Sequence, residues 1–414
     1  LTYEDVTNID SVGIITARQG IEVGTRPGIA ASISVDGNVV FSGIATVGKF
    51  GKPGIAFTDT NVKVGNTALD SVTTGTLNTA VGNAALTANT SASENTAFGN
   101  EALTANTTGS NNTALGNQAL LSNTTAQYNT GVGHHALENN TTGGSNTSVG
   151  SDSLRANTTA SNNTAVGKGA LTANTTAAYN VAVGSGALTT NTTGGNNTAV
   201  GGVALENNTT ASNNTALGNE ALRANTTGTQ NTAVGSLALD ANTTASNNTA
   251  VGYNGLGANT TGASNTAIGQ GSLALNTTGA SNTSVGKGAL FENTTASNNT
   301  AIGASALAVN TTGAQQTAVG MNALKDNTTG SNNTAVGYQA MTDNTTGGLN
   351  AAIGREALFK NTTGSQNTGC GAYTLYENLT GSENTAVGYE ALGKATTASY
   401  NSAFGSRALD PNTT

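Results

Sequence analysis

The residues with the clearest chemical potential are a histidine pair and a lone cysteine. His134 and His135 are the only histidines of the chain, and imidazole nitrogens are common ligands of transition metals. We expect no cysteine or carboxylate to complete a metal site with this pair, and interpret it as surface variation. Cys370 is the only thiol, and equivalent positions elsewhere carry Val, Ile, Leu or Phe. We therefore expect Cys370 to be a small core residue and not a nucleophile.

Motifs that bind nucleotides or calcium are missing from the sequence. Its many glycines form no phosphate-binding loop with a lysine, no dinucleotide fingerprint and no calcium-binding nonapeptide. Pairs of Asp and Glu on one face of a fold could meet and cleave a glycosidic bond, but no spacing indicates such a pair. We expect no enzymatic activity, no catalytic residue, no cofactor and no metal.

Tyrosine is the residue type best suited to recognise a partner here. Aromatic rings combine an apolar face with a polar tip, which suits a sugar or a protein surface. Six tyrosines occupy only two positions of the repeat described below, so we expect their rings to project along two lines. The alternative interpretation is that they shield the edges of the fold, because they form no dense patch. The candidate recognition residues are Tyr253, Tyr338 and Tyr389 at one position, and Tyr128, Tyr179 and Tyr400 at the other.

A 17-residue repeat dominates the chain and determines where these residues lie. Its twenty copies begin at Asn78 and recur without insertion to Asn401, with Gln316 as the only replacement of the first Asn. The consensus is N-T-A-V-G-x-x-A-L-x-x-N-T-T-G/A-x-x. Residues 61–77 match the same frame with poorer agreement, as a terminal capping repeat does. Such repetition is typical of a solenoid in which each repeat forms one coil.

Each repeat position can be interpreted as one physical environment. The fifth is always Gly, which predicts a sharp bend with positive φ or a close backbone approach. The fourth position (Val, Ile, Leu, Phe or Cys) and the ninth (Leu, once Met341) are predicted to form the core. Small residues at the eighth position indicate that another backbone passes closely. The sixth, seventh, tenth and eleventh positions vary in type and are predicted to face water.

These patterns predict an all-β fold, a repetitive β-solenoid. The N-T-A-V segment predicts a short strand that ends at Gly, and N-T-T-G predicts a corner. The x-x-A-L-x-x segment fits either a second short strand, which we favour, or one helical turn. Stacked coils would form Asn and Thr ladders and a rod of roughly 95 Å. Because each coil offers only two large apolar residues, we expect several chains to associate, most simply as a homotrimer.

The first sixty residues differ in composition from the repeats. Strands are predicted over residues 11–18, 33–35 and 38–41, and Asp36-Gly37 between the last two predicts a hairpin turn. This segment is too short to bury much surface alone, so we expect partner chains to complete it. The predicted organisation is a small N-terminal β region (1–60), a capping repeat (61–77) and the repeat array (78–414).

Composition excludes two classes of partner. Only 9% of residues are charged and the formal net charge is −8, so no basic surface is available for nucleic acid. No apolar run approaches the length of a membrane span, and the N-terminus has no signal-peptide pattern, so we expect no membrane insertion. Because the chain begins with Leu1 and the last repeat stops at Thr414, we expect the natural chain to be longer.

Two segments carry a resemblance to known proteins. The stretch from Val6 to Arg18, V-T-N-I-D-S-V-G-I-I-T-A-R, resembles segments of virion structural and tail-fibre proteins of marine bacteriophages, especially those of cyanobacteria. The N-T-A-V-G…A-L…N-T-T-G array is similar to repeats of phage tail fibres and, more loosely, to the heads of trimeric autotransporter adhesins. Residues 1–414 show neither the C-terminal chaperone domain of many such fibres nor the membrane anchor of autotransporters, and either one is expected only beyond Thr414. The resemblance implies a trimeric fibre located on a virion.

Three functions follow as hypotheses. The first is the structural shaft of a phage tail fibre or virion appendage, which contacts other virion or tail proteins and presents a receptor-binding end for host attachment. The second is a bacterial cell-surface adhesin that binds a host or a surface glycan. The third is binding to ice or another crystal surface through flat threonine ladders, suggested by the Thr79 and Thr90 positions.

Overall fold

All regular secondary structure in the part of the chain that the structure describes is β-strand. The structure is a computed structural model and describes residues 60–410. One three-residue strand forms per repeat, at the second to fourth positions, where Thr and Val are β-branched and fit a pleated surface. The strands, in chain order, are β1 Val62–Val64, β2 Thr79–Val81, β3 Thr96–Phe98, β4 Thr113–Leu115, β5 Thr130–Val132, β6 Thr147–Val149, β7 Thr164–Val166, β8 Val181–Val183, β9 Thr198–Val200, β10 Thr215–Leu217, β11 Thr232–Val234, β12 Thr249–Val251, β13 Thr266–Ile268, β14 Thr283–Val285, β15 Thr300–Ile302, β16 Thr317–Val319, β17 Thr334–Val336, β18 Ala351–Ile353, β19 Thr368–Cys370, β20 Thr385–Val387 and β21 Ser402–Phe404.

The strands stack into one continuous parallel sheet, which confirms the predicted β-solenoid. Each strand pairs with the strands one repeat before and after it, and every paired residue is 17 positions from its partner, as Thr79 is from Thr96. One repeat is therefore one coil, and each repeat position forms a column along the stack. With neighbouring strands about 4.8 Å apart, the twenty-one strands extend over roughly 95 Å.

The interior of each coil is narrow and filled by small residues around one leucine. In the coil that begins at Asn214, Ala216, Ala221 and Leu222 are fully buried, at the third, eighth and ninth positions. The predictions for the eighth and ninth columns are confirmed. The third column is small because the leucine of the preceding coil lies against it: a Cβ added at Gly131 would be 3.3 Å from Cγ of Leu120.

The prediction that the fourth column forms the core is wrong. None of its residues is buried, and Phe98 and Leu217 are 53% and 47% exposed. Cys370, which belongs to this column, is likewise exposed and not a core residue. The reason is the length of the strand: successive side chains alternate between faces, so a three-residue strand directs only its middle residue inward.

The x-x-A-L-x-x segment is neither a second strand nor a helical turn. It forms two successive turns, with hydrogen bonds from Ala85 N to Gly82 O (3.5 Å) and from Asn89 N to Leu86 O (3.2 Å) in the coil that begins at Asn78. The turns require left-handed residues at the seventh and ninth positions, such as Leu86 with a φ of 52°. Backbone N–H groups of both positions still bond to the adjacent coils.

Buried asparagines form two ladders along the stack, as predicted. At the first position, the backbone N–H of Asn129 donates a 3.0 Å hydrogen bond to Oδ1 of Asn112. Its side-chain Nδ2 also donates to the carbonyl of Gly143 at 2.9 Å. At the twelfth position, Nδ2 of Asn140 donates to Oδ1 of Asn123 at 2.9 Å. The amides thus satisfy buried backbone groups that a purely apolar core would leave unpaired.

Gln316 breaks the first-position ladder at one rung and leads to a stability prediction. Its side chain donates to the carbonyl of Gly330, but its Oε1 is buried without a hydrogen-bond partner. Leaving a buried acceptor unpaired costs about 1–3 kcal/mol. We expect Gln316→Asn to raise the free energy of unfolding by about 1 kcal/mol, measured by denaturant titration. Asn231→Gln, the reverse change in an intact rung, should lower it; a destabilised Gln316→Asn variant would contradict this account.

Of the two segments predicted before the repeat array, the structure describes the capping repeat but not the N-terminal β region. Residues 61–77 form a coil in the same frame, and its strand carries Lys63, which pairs with Asp70 at 2.9 Å. The strands and hairpin predicted within residues 1–60 lie outside the described residues. From residue 60 to residue 410 the chain contains no helix that is long and apolar enough to cross a membrane.

Candidate functional site

The outer sheet face, formed by the second and fourth positions of the twenty repeats, is the most extended surface feature. The middle residue of each strand, at the third repeat position, points inward, so the residues at the second and fourth repeat positions point outward. No residue of either column is charged from Thr79 to Phe404, and Leu115, Leu217 and Ile353 are 45–48% exposed. Contiguous exposed apolar surface of this kind marks interaction sites in soluble proteins. The outer sheet face is therefore a candidate interface that runs along the solenoid.

The threonines of the thirteenth column have a different environment. The hydroxyl of Thr90 donates to the carbonyl of Thr107 at 3.1 Å, and the same bond recurs from coil to coil. These hydroxyls are thus engaged within the protein. The second-position threonines lie on the outer sheet face, and the fourteenth-position threonines, such as Thr108 and Thr125, form another exposed column.

The six candidate tyrosines are all exposed but do not form one site. Tyr128, Tyr179 and Tyr400, at the last repeat position, are 62–77% exposed. Tyr128 and Tyr179 lie three coils apart, and Tyr400 lies thirteen coils beyond Tyr179. Tyr253 lies apart from the remaining two. Tyr338 and Tyr389 belong to a cluster near the C-terminal end of the solenoid.

This aromatic–ionic cluster brings together side chains of five successive coils. We define it by Tyr338, Arg355, Phe359, Lys360, Tyr373, Tyr376, Glu377, Tyr389, Glu390, Lys394, Arg407 and Asp410. The ring centroids of Tyr373 lie 5.8 Å from Tyr376 and 6.0 Å from Tyr389, in edge-on arrangements. Phe359 stacks on Tyr376 at 5.3 Å. These distances are those of favourable aromatic pairs, so the rings support one another.

Cations lie over the rings of the cluster and pair with its carboxylates. The Arg355 guanidinium lies 5.7 Å from the ring centre of Tyr338 and 5.5 Å from that of Tyr373, within cation–π range. Arg407 Nε lies 2.7 Å from Glu390 Oε2. The hydrogen bond from Tyr389 and the Arg407 pair lower the pKa of the Glu390 carboxyl, which keeps it ionised in mildly acidic solution.

The cluster borders a cavity of about 500 Å³ that is open to solvent. This volume is typical of small-molecule sites. Its lining combines ring surface with carboxylates and cations: Tyr373, Tyr376, Glu377, Glu390, Gly393, Lys394, Arg407 and Asp410. Aromatic faces can stack on the apolar face of a sugar ring while charged groups hydrogen-bond to its hydroxyls. The cavity therefore combines the kinds of group with which proteins contact polar ring-shaped ligands.

A second, smaller depression lies around Tyr253. Its volume is about 220 Å³, and its surface is almost entirely apolar. Gly271 and Gly288 replace larger residues of the seventh column there and leave space beside Phe291. Tyr253 and Phe291 therefore line an apolar depression that is separate from the aromatic–ionic cluster.

Sequence reasoning missed three of the five aromatic residues of the aromatic–ionic cluster and all seven of its charged residues. It selected Tyr338 and Tyr389 because they share a column, but Tyr373, Tyr376 and Phe359 stand in other columns. The available signal was local: residues 355–377 concentrate aromatic and charged residues within a chain otherwise rich in Asn, Thr, Gly and Ala. Stacked coils bring neighbouring columns together. The local concentration of aromatic and charged residues along the sequence was therefore a better indicator of the cluster than a shared repeat position.

The structure corrects one part of the expectation for the histidine pair, since a carboxylate does lie beside it. Asp152 follows His135 by one 17-residue period, so stacking places its carboxylate beside the pair. One ligand atom of each of His134, His135 and Asp152 lies within 4.8 Å of the others. Spacing along the chain concealed this neighbour because the relevant distance is one coil.

Comparison with known proteins adds no family to this description. No protein-family model matches the chain, and no curated protein sequence matches it either. The fold and the geometry of these surfaces are therefore the basis for assigning a function.

Proposed function

We propose that the chain is the structural shaft of a homotrimeric fibre, a phage tail fibre or another virion appendage, which spaces a receptor-binding end from the particle. The observation that carries the proposal is the uninterrupted sheet of twenty-one parallel strands with an uncharged outer face. Stacked coils with identical registers resist bending, because each coil is hydrogen-bonded to both neighbours over much of its length. A stiff rod of this length suits a spacer.

A second and third copy of the same chain are the best partners for the outer sheet face. The face repeats every coil, at about 4.8 Å, so a partner must have the same period to match it over all coils. A parallel copy has that period. Around a three-fold axis each chain touches two neighbours, and the second and fourth columns supply one contact to each. The apolar fourth column then becomes buried in the assembly, which accounts for its composition.

The test uses the full chain and its mass in solution. Light scattering coupled to size exclusion should give three times the 40.6 kDa chain mass. Charges on the outer sheet face, Val200→Glu with Val234→Glu, should give a single-chain mass because burial of an unpaired carboxylate is costly. The control carries the same charges in the same coils at the eleventh position, Asn207→Glu with Ala241→Glu, and should remain trimeric. A single-chain mass for the unmodified protein would refute the trimer.

The virion location is tested by the genes adjacent to this one. Reading frames for capsid and baseplate proteins would support the tail-fibre role. Genes of a secretion system would support the alternative, a bacterial cell-surface adhesin.

The aromatic–ionic cluster favours a second candidate function, adhesion to a surface glycan. Its cavity offers ring faces together with paired charges, whereas the depression around Tyr253 is almost entirely apolar. The test is a glycan array probed with the full chain. Binding should be lost in Tyr373→Ser with Tyr376→Ser and retained in the control, Tyr128→Ser with Tyr179→Ser. Absence of binding by the unmodified chain would leave a passive shaft.

A further inference from the structure

The histidine pair and Asp152 meet on the surface of two adjacent coils. His134 and His135 occupy the sixth and seventh positions of the coil that begins at Asn129, and Asp152 occupies the seventh position of the next coil. The two imidazole rings stack, with centroids 3.6 Å apart. Ligand atoms of all three residues lie within 4.8 Å of one another.

The Nδ1 atom of His135 carries the argument because it is buried without a hydrogen bond. It lies 3.5 Å from Oδ1 of Asp152 and 3.7 Å from Oε2 of Glu138. Both distances are too long for an N–H···O hydrogen bond. They are close to the separation of two ligands bound to one tetrahedral metal ion, about 3.3–3.6 Å for metal–ligand bonds of about 2.0–2.2 Å.

The remaining side chains supply or balance charge at this position. Arg155 donates from Nε to Oε2 of Glu138 at 2.7 Å, and its NH1 group lies 3.6 Å from Oδ1 of Asp152. Glu138 is therefore hydrogen-bonded to Arg155. Asp152 accepts a 2.9 Å hydrogen bond from Ser151 Oγ at Oδ2. Its Oδ1 lies nearer to Nδ1 of His135 than the Glu138 carboxylate does and is the oxygen offered to a cation. His134 is exposed, so its side chain can rotate to close the remaining distance to a shared ion.

We propose that His134, His135 and Asp152 bind one divalent transition-metal ion and thereby link two adjacent coils. Two imidazoles and one carboxylate form a set that suits zinc, nickel or copper better than calcium or magnesium, which prefer oxygen ligands. Three protein ligands leave a further coordination position for water. The ion joins residues one period apart, so it acts as a clip between the coils that begin at Asn129 and Asn146.

The test is a calorimetric titration of the full chain with zinc chloride. Because the chain has two histidines and one cysteine, Cys370→Ser in every variant confines soft and imidazole ligands to the proposed site. One zinc ion per chain is expected. Asp152→Asn should weaken zinc binding by about tenfold or more, since even outer-shell partners of a ligand typically contribute 10–100-fold. The substitution keeps the fold, because Asn tolerates the φ of 58° at this position.

The matched control is Glu220→Gln. Glu220 and Arg223 occupy the same two columns as Asp152 and Arg155 and form the same ion pair, at 2.8 Å, but have no histidine beside them. This variant should bind zinc as the parent does. Zinc should also raise the Tm of the parent and leave that of Asp152→Asn unchanged. Absence of zinc binding by the parent, or unchanged affinity in Asp152→Asn, would overturn the inference.

Discussion

Leu222→Asp should destabilise the solenoid by more than about 4 kcal/mol, because it removes a buried leucine and leaves a charge without a partner. Leu222 is fully buried and is the only large apolar side chain in the interior of its coil. A solenoid coil contacts only its two neighbours, so the disrupted coil should divide the stack into two parts. Denaturant titration followed by circular dichroism measures the loss, and proteolysis should cut near residue 222.

The control for this prediction lies two residues earlier. Glu220 has a partly exposed side chain and pairs with Arg223 at 2.8 Å. Ion pairs of this kind contribute about 0.2–1 kcal/mol, so Glu220→Gln should change stability little. Equal losses in Leu222→Asp and Glu220→Gln would show that inside and outside are assigned wrongly.

Gly218→Ala should cost about 3 kcal/mol or more, because the backbone strain of 1–3 kcal/mol adds to a steric clash. Gly218 has a φ of 142°, which side chains rarely adopt. A Cβ at this position would also lie 2.6 Å from the carbonyl carbon of Gly235 and 2.9 Å from the amide nitrogen of Ser236. The two proposed reasons for an invariant fifth glycine, the bend and the close approach, therefore act together.

Gly202→Ala is the matched control for Gly218→Ala. Gly202 does not have a positive φ, and a Cβ there would meet only the flexible side-chain amide of Asn219, at 3.1 Å. Thermal melts of the two variants should separate clearly, with Gly202→Ala close to the parent. Similar Tm values would mean that the fifth column tolerates a side chain.

The sequence predicted the repeat, its one-coil period and the ninth-column core because these depend on regularity alone. The ninth position carries Leu in nearly every coil, and a column of this kind, such as the one that contains Leu222, lies in the interior whatever the exact path of the backbone. The fourth column misled the prediction because repetition of an apolar residue type does not show whether the side chain points into the coil or away from it. Phe98, which is exposed, illustrates the difference.

The turns and the candidate site depended on information that periodicity does not contain. Left-handed conformations at the seventh and ninth positions are unusual for Leu, as at Leu86, and are stabilised here by hydrogen bonds to adjacent coils. The seventh position does carry Gly or Asn in several coils, such as Gly169 and Asn254, which was a signal for such turns. Contacts between columns, such as Tyr373 with Tyr389, arise from the path of the coil.

Cryo-electron microscopy of the full chain tests the central claim most directly, since it shows the assembly and its interface together. The account predicts three parallel solenoids around a common axis, an axial repeat of about 4.8 Å, and the column from Val81 to Phe404 at the contacts between chains. A single solenoid with that column exposed to solvent would contradict it.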